Sequence, residues 1–569
     1  MTLANHPSPL APDDLLLRGF FHDRVIPPLS TLGLENAVPE LVSEARKLMA
    51  SAAAARYRPA LPVRSRCVQH SIPKRKHLRR MLAMPNPLHQ SILCCEISDS
   101  WPQLNALCQE SQISLSAPQL STKRALDPEY DRRRVTIERA RRSIGTRYVL
   151  KADLARFYPS IYTHSIAWAV HGKEEARVDR ANQLAGNRLD LWVRETQDKQ
   201  TGGLPIGPDT SYLLAEVVAS RLDLALQTEM PSVRGTRHID DYNLYFATLS
   251  EAEKALAVLH RAARRFELEI NDLKTEIVQV PEALEPYWKT QLRSLDLRDD
   301  DHGTSLKSLF DRAAELSEQF KQDSVHTYAV KKVLSKGVPP RDWETCETLI
   351  LRAALGEPSL LPWLLQVYEK CSASKSTALG ETIEALCHYH SPLQQGSEVA
   401  WALWIARALD LTLSEEAAEA VATIDDDIVA LVALDMMDAG LLPAVDTPVW
   451  NSHMNAEGLY SDHWLLAYEA YEQDWLRPIA AGDYIAADAH GCFTVLRKYA
   501  VRFYDPDRRW EGGYPSYSDD TEDTSDAGDA EEESVEVEVS DIAAAMAELS
   551  KDASAADPIE PIGGDVVEI

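Results

Sequence analysis

The chain has 569 residues, of which 45% are hydrophobic, 26% charged and 7% aromatic, and a formal charge of -29. At roughly 100–200 residues per structural unit, three or four units are expected, and the net charge taken alone argues against a nucleic-acid binder. The average hides a basic lobe: residues 51–150 carry 18 basic against 7 acidic side chains, whereas 301–510 carry 17 against 32 and 511–569 carry 1 against 19.

The opening residues lack a basic-then-apolar leader, and no apolar run reaches the length of a membrane span. Eight scattered cysteines without a CxxC pair point to free thiols, so a cytoplasmic protein with no membrane association is expected. Cys387, His388 and His390 sit in an amphipathic pattern without a second ligand pair, so no zinc site is expected there.

Residues 1–60 read as an Ala-rich helical segment, and 61–147 as a basic, irregular region. From 148 to 285, strand-like runs alternate with helical periodicity. The runs at 147–154 and 238–248 predict strands, 210–230 a helix, and 250–266 a second helix opened by a Ser250/Glu253 capping box. This mixture is an α+β unit. Connecting helices are expected at 286–340 and amphipathic helices in a helical-repeat domain at 341–511. The acidic tail at 512–569 is too poor in large apolar groups to fold alone. Within it, 542–551 could form a short helix on a partner.

Adjacent aspartates occur at 13–14, 299–300, 425–427 and 519–520, where solvated or helix-start charge explains them. Asp240 and Asp241 differ, because they interrupt the apolar, β-prone run TRHIDDYNLYF. Two carboxylates about 4 Å apart repel by roughly 4 kcal/mol at an effective dielectric near 20. A turn aiming both at a divalent cation would remove that penalty. Asp153 ends another β-rich run, and three convergent carboxylates suit Mg²⁺ or Mn²⁺.

The order Asp153, GLPIGPDTS (203–211), His238-Ile239-Asp240-Asp241 and NDLKTEI (271–277) resembles motifs A to D of reverse transcriptases. IPKRKHLRRMLAMPNPLHQSIL (72–93) looks like the fingers segment of the same family. The resemblance spans about 70–280 and implies a right-hand palm and fingers performing two-metal nucleotidyl transfer from dNTPs. It makes Asp153, Asp240 and Asp241 metal ligands, Lys274 a proton donor to pyrophosphate, and Lys74, Arg79 and Arg80 the grip on the triphosphate. Tyr158 would exclude a ribose 2′-hydroxyl, while Pro205 and Gly207 would let backbone approach the nucleotide. Two departures, His238 where most members have an aromatic residue and Ile206 where most have Gln, fall in the primer and template neighbourhood.

Ile206 together with Ser211 and Glu216 looks like motif B of bacterial abortive-infection reverse transcriptases, which also carry a helical C-terminal domain. That likeness implies antiphage defence, a homo-oligomer and a DNA product made by protein-primed or template-independent synthesis. Copying of a noncoding RNA, as in retrons, is the alternative within the family. An inactive RNA-binding scaffold is the alternative outside it.

Overall fold

The computed structural model describes residues 9–508 apart from 55–62, 76–77, 180, 299–302, 322, 372–375, 481 and 489. The acidic tail with Tyr514, Tyr517 and the segment 542–551 therefore lies outside the described residues.

Four antiparallel strands form the central sheet. Ahead of them, β1 (Val68–Arg75) pairs with β2 (Leu78–Met84), and β3 (Pro118–Leu120) with β4 (Leu126–Pro128). The sheet itself contains β5 (Tyr148–Asp153), β6 (Arg234–His238), β7 (Asp241–Phe246) and β8 (Glu276–Gln279), in the order β6-β7-β5-β8. Helix Leu249–Arg265 packs on β5 and β7, and helix Asp209–Glu229 packs against it. Leu244, Val258, Leu259 and Leu213 belong to the resulting buried core. The capping box of helix Leu249–Arg265 is made by Thr248 and Glu251 rather than by Ser250 and Glu253. Thr248 has the extended backbone a cap requires, whereas Ser250 already lies inside the helix.

The region 61–147 is not irregular. Val68, His70 and Ile72 on β1, with Leu82 and Met84 on β2, are buried on one face of the hairpin, and the register places Arg80 opposite Ile72 on that same face. Helices Pro87–Gln109 and Arg132–Ser143 complete it, begun by Asn86 and Asp131, whose side chains accept from Leu88 N and Arg134 N.

Beyond the sheet the chain is helical. Helices Val325–Lys336, Leu361–Lys370, Gly396–Ala408, Asp427–Asp438 and Trp464–Glu472 make one row in which each contacts the next. Helices Thr304–Gln319, Trp343–Gly356, Thr377–His390 and Glu415–Val421 make a second row of the same kind. The first row leans on the β1–β2 hairpin. Arg79 pairs with Glu398, His70 Nδ1 lies 2.8 Å from Asp426 Oδ2, and Trp464 Nε1 donates to Met84 O at 3.0 Å. The two ends of the described chain also meet: Ser30 N donates to Phe503 O and Asp505 N to Pro28 O, both at 2.9 Å, about a bridge between Leu29 and Tyr504.

Candidate active site

Strand register brings the carboxylates together. Asp153 ends β5 opposite Asp241 at the start of β7, and His238 ends β6 opposite the same Asp241. Only Ile239 and Asp240 remain to turn the chain. Carboxylate oxygens of Asp153, Asp240 and Asp241 lie within 4.8 Å of one another, Asp153 buried and the other two half-buried. Loss of water at this depth, reinforced by the neighbouring carboxylates, pushes the Asp240 carboxyl up. Asp241 is pushed up by the same loss of water, opposed by Arg139. Such a cluster of hard oxygens calls for cationic charge, and the donor set fits Mg²⁺ or Mn²⁺.

Ile239 holds φ of +56°, a left-handed conformation that a β-branched residue adopts at a cost of about 1–3 kcal/mol. Its surroundings fix it there. Ile239 N donates to Ser116 Oγ at 2.8 Å, and Ile239 O accepts from Arg237 Nη1 at 2.9 Å. Arg237 is fully buried between Glu216 (Nη2–Oε1, 2.6 Å) and Asp223 (Nε–Oδ2, 2.8 Å). Ser111 and Tyr242 donate to Asp223, and Ser114 and Ser116 to Glu216. Burial pushes the Asp223 carboxyl up, and its pairing with Arg237 pulls it back.

Lys274 Nζ and Asn271 Nδ2 each donate to Asp153 at 3.0 Å, one to each carboxylate oxygen. Arg139 Nη2 stands 3.9 Å from Asp241 Oδ2. Asn271, Arg139 and the buried ring around Arg237 were missed from sequence. A signal existed: Glu216 and Asp223 are seven apart on one face of a largely apolar helix, which demands a buried cation.

A cleft of about 1200 Å³ opens above the carboxylates. Asp153, Asp240, Lys274, Lys74, Arg79, Arg80, Tyr158, Pro205 and Ile206 all line it. Phe157 and Tyr158 lie on a short helix, Phe157–Ser160, rather than a strand; Phe157 is buried and Tyr158 half-buried, and both line the cleft. Arg79 is engaged, donating to Ser71 Oγ and O at 2.8 Å and pairing with Glu398. Gly207 and His238 do not line this cleft. Gly207 has φ of +140° and sits where a Cβ would come within 3.2 Å of Ala83 O and 3.3 Å of His22 Cβ, so the close approach it permits is to the protein's own β2 and N-terminal segment. His238 is buried.

Residues 55–323 match the family described as reverse transcriptase (RNA-dependent DNA polymerase). That segment is similar to a reverse transcriptase domain. The match contains all four motifs and the fingers hairpin, extending the likeness read from sequence at both ends. A reverse transcriptase domain implies a nucleotidyltransferase with nucleotide substrates and a nucleic-acid template or product. No curated protein matches the chain. Among solved structures, the apo telomerase from Candida tropicalis is similar over 67% of each chain at 11% identity, with a TM-score of 0.30. No described helix is long and apolar enough to cross a membrane.

Proposed function

We propose that this protein is a DNA polymerase of bacterial antiphage defence that adds dNTPs by two-metal nucleotidyl transfer, primed on protein or without a template. The observation that carries the chemistry is the convergence of Asp153, Asp240 and Asp241 where β5 ends beside the β6–β7 turn, with Asp153 and Asp240 lining the cleft. Mg²⁺ or Mn²⁺ held by these carboxylates supplies Lewis acidity to the attacking hydroxyl and charge neutralisation to the leaving pyrophosphate. Asn271 orients the Asp153 carboxylate. Lys274, already at its edge, hands a proton to pyrophosphate. Lys74 and Arg80 hold the triphosphate, Arg79 sets the hairpin through Glu398, and Tyr158 excludes the 2′-hydroxyl.

The defence assignment is supported by Ile206, Ser211 and Glu216 in motif B, and by two rows of helices that read as a helical-repeat domain. Homo-oligomeric assembly comes with that assignment. Synthesis without an ordinary template is supported by Ile206 and by the acidic balance of residues 301–510, a poor surface along which to hold a template. The basic surplus of 51–150 favours a second reading, copying of a bound noncoding RNA.

Protein incubated with Mg²⁺ and single labelled dNTPs, without added primer or template, separates these readings. Label retained on the protein until protease treatment, surviving RNase and lost in Asp240→Asn, supports protein priming. Free DNA that vanishes after RNase supports the RNA-templated reading. Unchanged biological function in Asp240→Asn would make the protein a scaffold.

A further inference from the structure

The β1–β2 hairpin, which carries Lys74, Arg79 and Arg80, is tied down on two sides. On one side, Ala83 N donates to Ile206 O at 2.8 Å, joining β2 to the 203–211 segment through the backbone. The helical part holds the two ends of the hairpin's base: Arg66 N, just before β1, donates to Tyr460 O at 3.1 Å, and Asn86 Nδ2, just after β2, to Leu459 O at 2.8 Å. Trp464 Nε1 adds its bond to Met84 O. Further along the strands, His70 meets Asp426 and Arg79 meets Glu398.

The partners lie out of water. Asn86 and Trp464 are fully buried, and His70, Glu398 and Asp426 nearly so. A buried donor or acceptor left unpaired keeps its whole desolvation penalty, and a charged one a larger penalty still. A hairpin that swung relative to the helical rows would strand several such groups in one movement. Packing acts in the same sense, because helices Gly396–Ala408 and Asp427–Asp438 both lie against β1. Ser324 and Asp462, which come from the helical part, line the same cleft as Asp153 and Lys74. The helical rows therefore build one wall of the cleft and fix another.

We propose that the helical part locks the hairpin in a single position, so that a nucleoside triphosphate enters a preformed site and no closure of the hairpin accompanies its binding. Glu398 and Asp426 are then positioning residues: they touch no ligand, and they hold the strands that present Lys74 and Arg80 to the cleft. The identity of the ligand rests on the polymerase reading, whereas the lock is a property of the fold. An enzyme built this way gives up selection by induced closure, and discrimination falls on fixed cleft walls, Tyr158 and Ile206 among them. The rival arrangement is a hinged hairpin whose ties open in the empty protein and close over the triphosphate.

Hydrogen–deuterium exchange on the full-length protein separates the two. The ligand is a dNTP with an imido α,β-bridge, given with Mg²⁺, which can bind but cannot be cleaved for transfer. The reference is helix Leu249–Arg265, which lines no part of the cleft. In the parent, amides of β1 and β2 should exchange within about tenfold of the reference, with or without the nucleotide. Glu398→Gln with Asp426→Asn weakens both charged ties, while Asn still caps its helix. That variant should exchange its hairpin about tenfold faster, keep the reference rate, and regain protection when the nucleotide is added. Regained protection is the sign of positioning, since a merely structural loss would not respond to ligand. Hairpin amides that exchange faster than the stated range in the empty parent and are slowed by the nucleotide, or a hairpin rate unchanged by the double substitution, overturn the lock. A nucleotide that protects no cleft peptide in either protein, 153–158 included, refutes the polymerase reading, and the lock is still decided by the nucleotide-free rates.

Discussion

Replacing Arg237 by Met tests whether the catalytic turn is held from beneath. Arg237 makes bonds to both oxygens of Glu216 and of Asp223, and one to Ile239 O, with no exposure to water. Its loss leaves two carboxylates buried and unpaired, an error that costs about 3–5 kcal/mol. A protein's whole stability is about 5–15 kcal/mol, so the change should appear as a large fall in the urea midpoint. Adding Glu216→Gln and Asp223→Asn to Arg237→Met removes the stranded charges and should recover most of that loss. Nucleotide incorporation should not recover with it. Ile239 O would still lack its donor, and displacement of Asp240 by about 1 Å is expected to lower turnover about 10²-fold. A cost under about 1 kcal/mol for Arg237→Met, or full activity in the triple variant, would refute this account of the turn.

Three other outcomes follow from contacts described above or beside them. Lys274→Met should lower the single-turnover rate by about 10²-fold or more and, because it also takes an ion-pair partner from the buried Asp153, lower the melting temperature measurably in the absence of divalent metal. Arg79→Ala strands the buried Glu398 and should cost about 2 kcal/mol in denaturant titration, and Glu398→Gln in the same background should return most of it. Glu469 is fully buried beside Gln473 and Arg502, accepts from Phe503 N at 3.0 Å, and is pushed by burial from its ordinary 4.5 to about 7. The folded state therefore keeps a proton that the unfolded chain has lost, so the destabilisation is absent below pH 4.5, grows between 4.5 and 7, and is complete above 7. Glu469→Gln should raise the melting temperature at pH 8 and leave it unchanged at pH 4.5.

Much of the carboxylate cluster was legible because its chemistry is local. A strand that ends on a charge, and two aspartates inside an apolar run, can be read residue by residue, and the sheet register then pairs Asp153 with Asp241. Contacts between distant parts of the chain left weaker traces. Arg79 reads as a ligand grip from its neighbours, but its partner Glu398 is more than three hundred residues away. The aspartates at 425–427 read as helix-start charge. Asp426 does cap helix Asp427–Asp438, bonding Ile428 N and Val429 N, yet it also meets His70, and Asp427 is buried behind His463. A cap is a short-range pattern, whereas a buried ion pair depends on which helices become neighbours. Cys387 is buried and His390 bonds Gln395, so that pair serves the helix end.

The clasp between Pro28–Ser30 and Phe503–Asp505 also sets a schedule for biosynthesis. His22, close by in the same N-terminal segment, is the wall against which Gly207 of motif B rests. A ribosome must therefore emit nearly the whole described chain before that segment gains its last hydrogen-bonding partner. Contacts this distant in sequence form late, and domains fold as units during synthesis. The cleft beside the carboxylates, which Asp462 also lines, is thus completed only when the helical part has been made and docked. A truncated nascent chain would carry Asp153, Asp240 and Asp241 and still lack the finished walls of the cleft beside them.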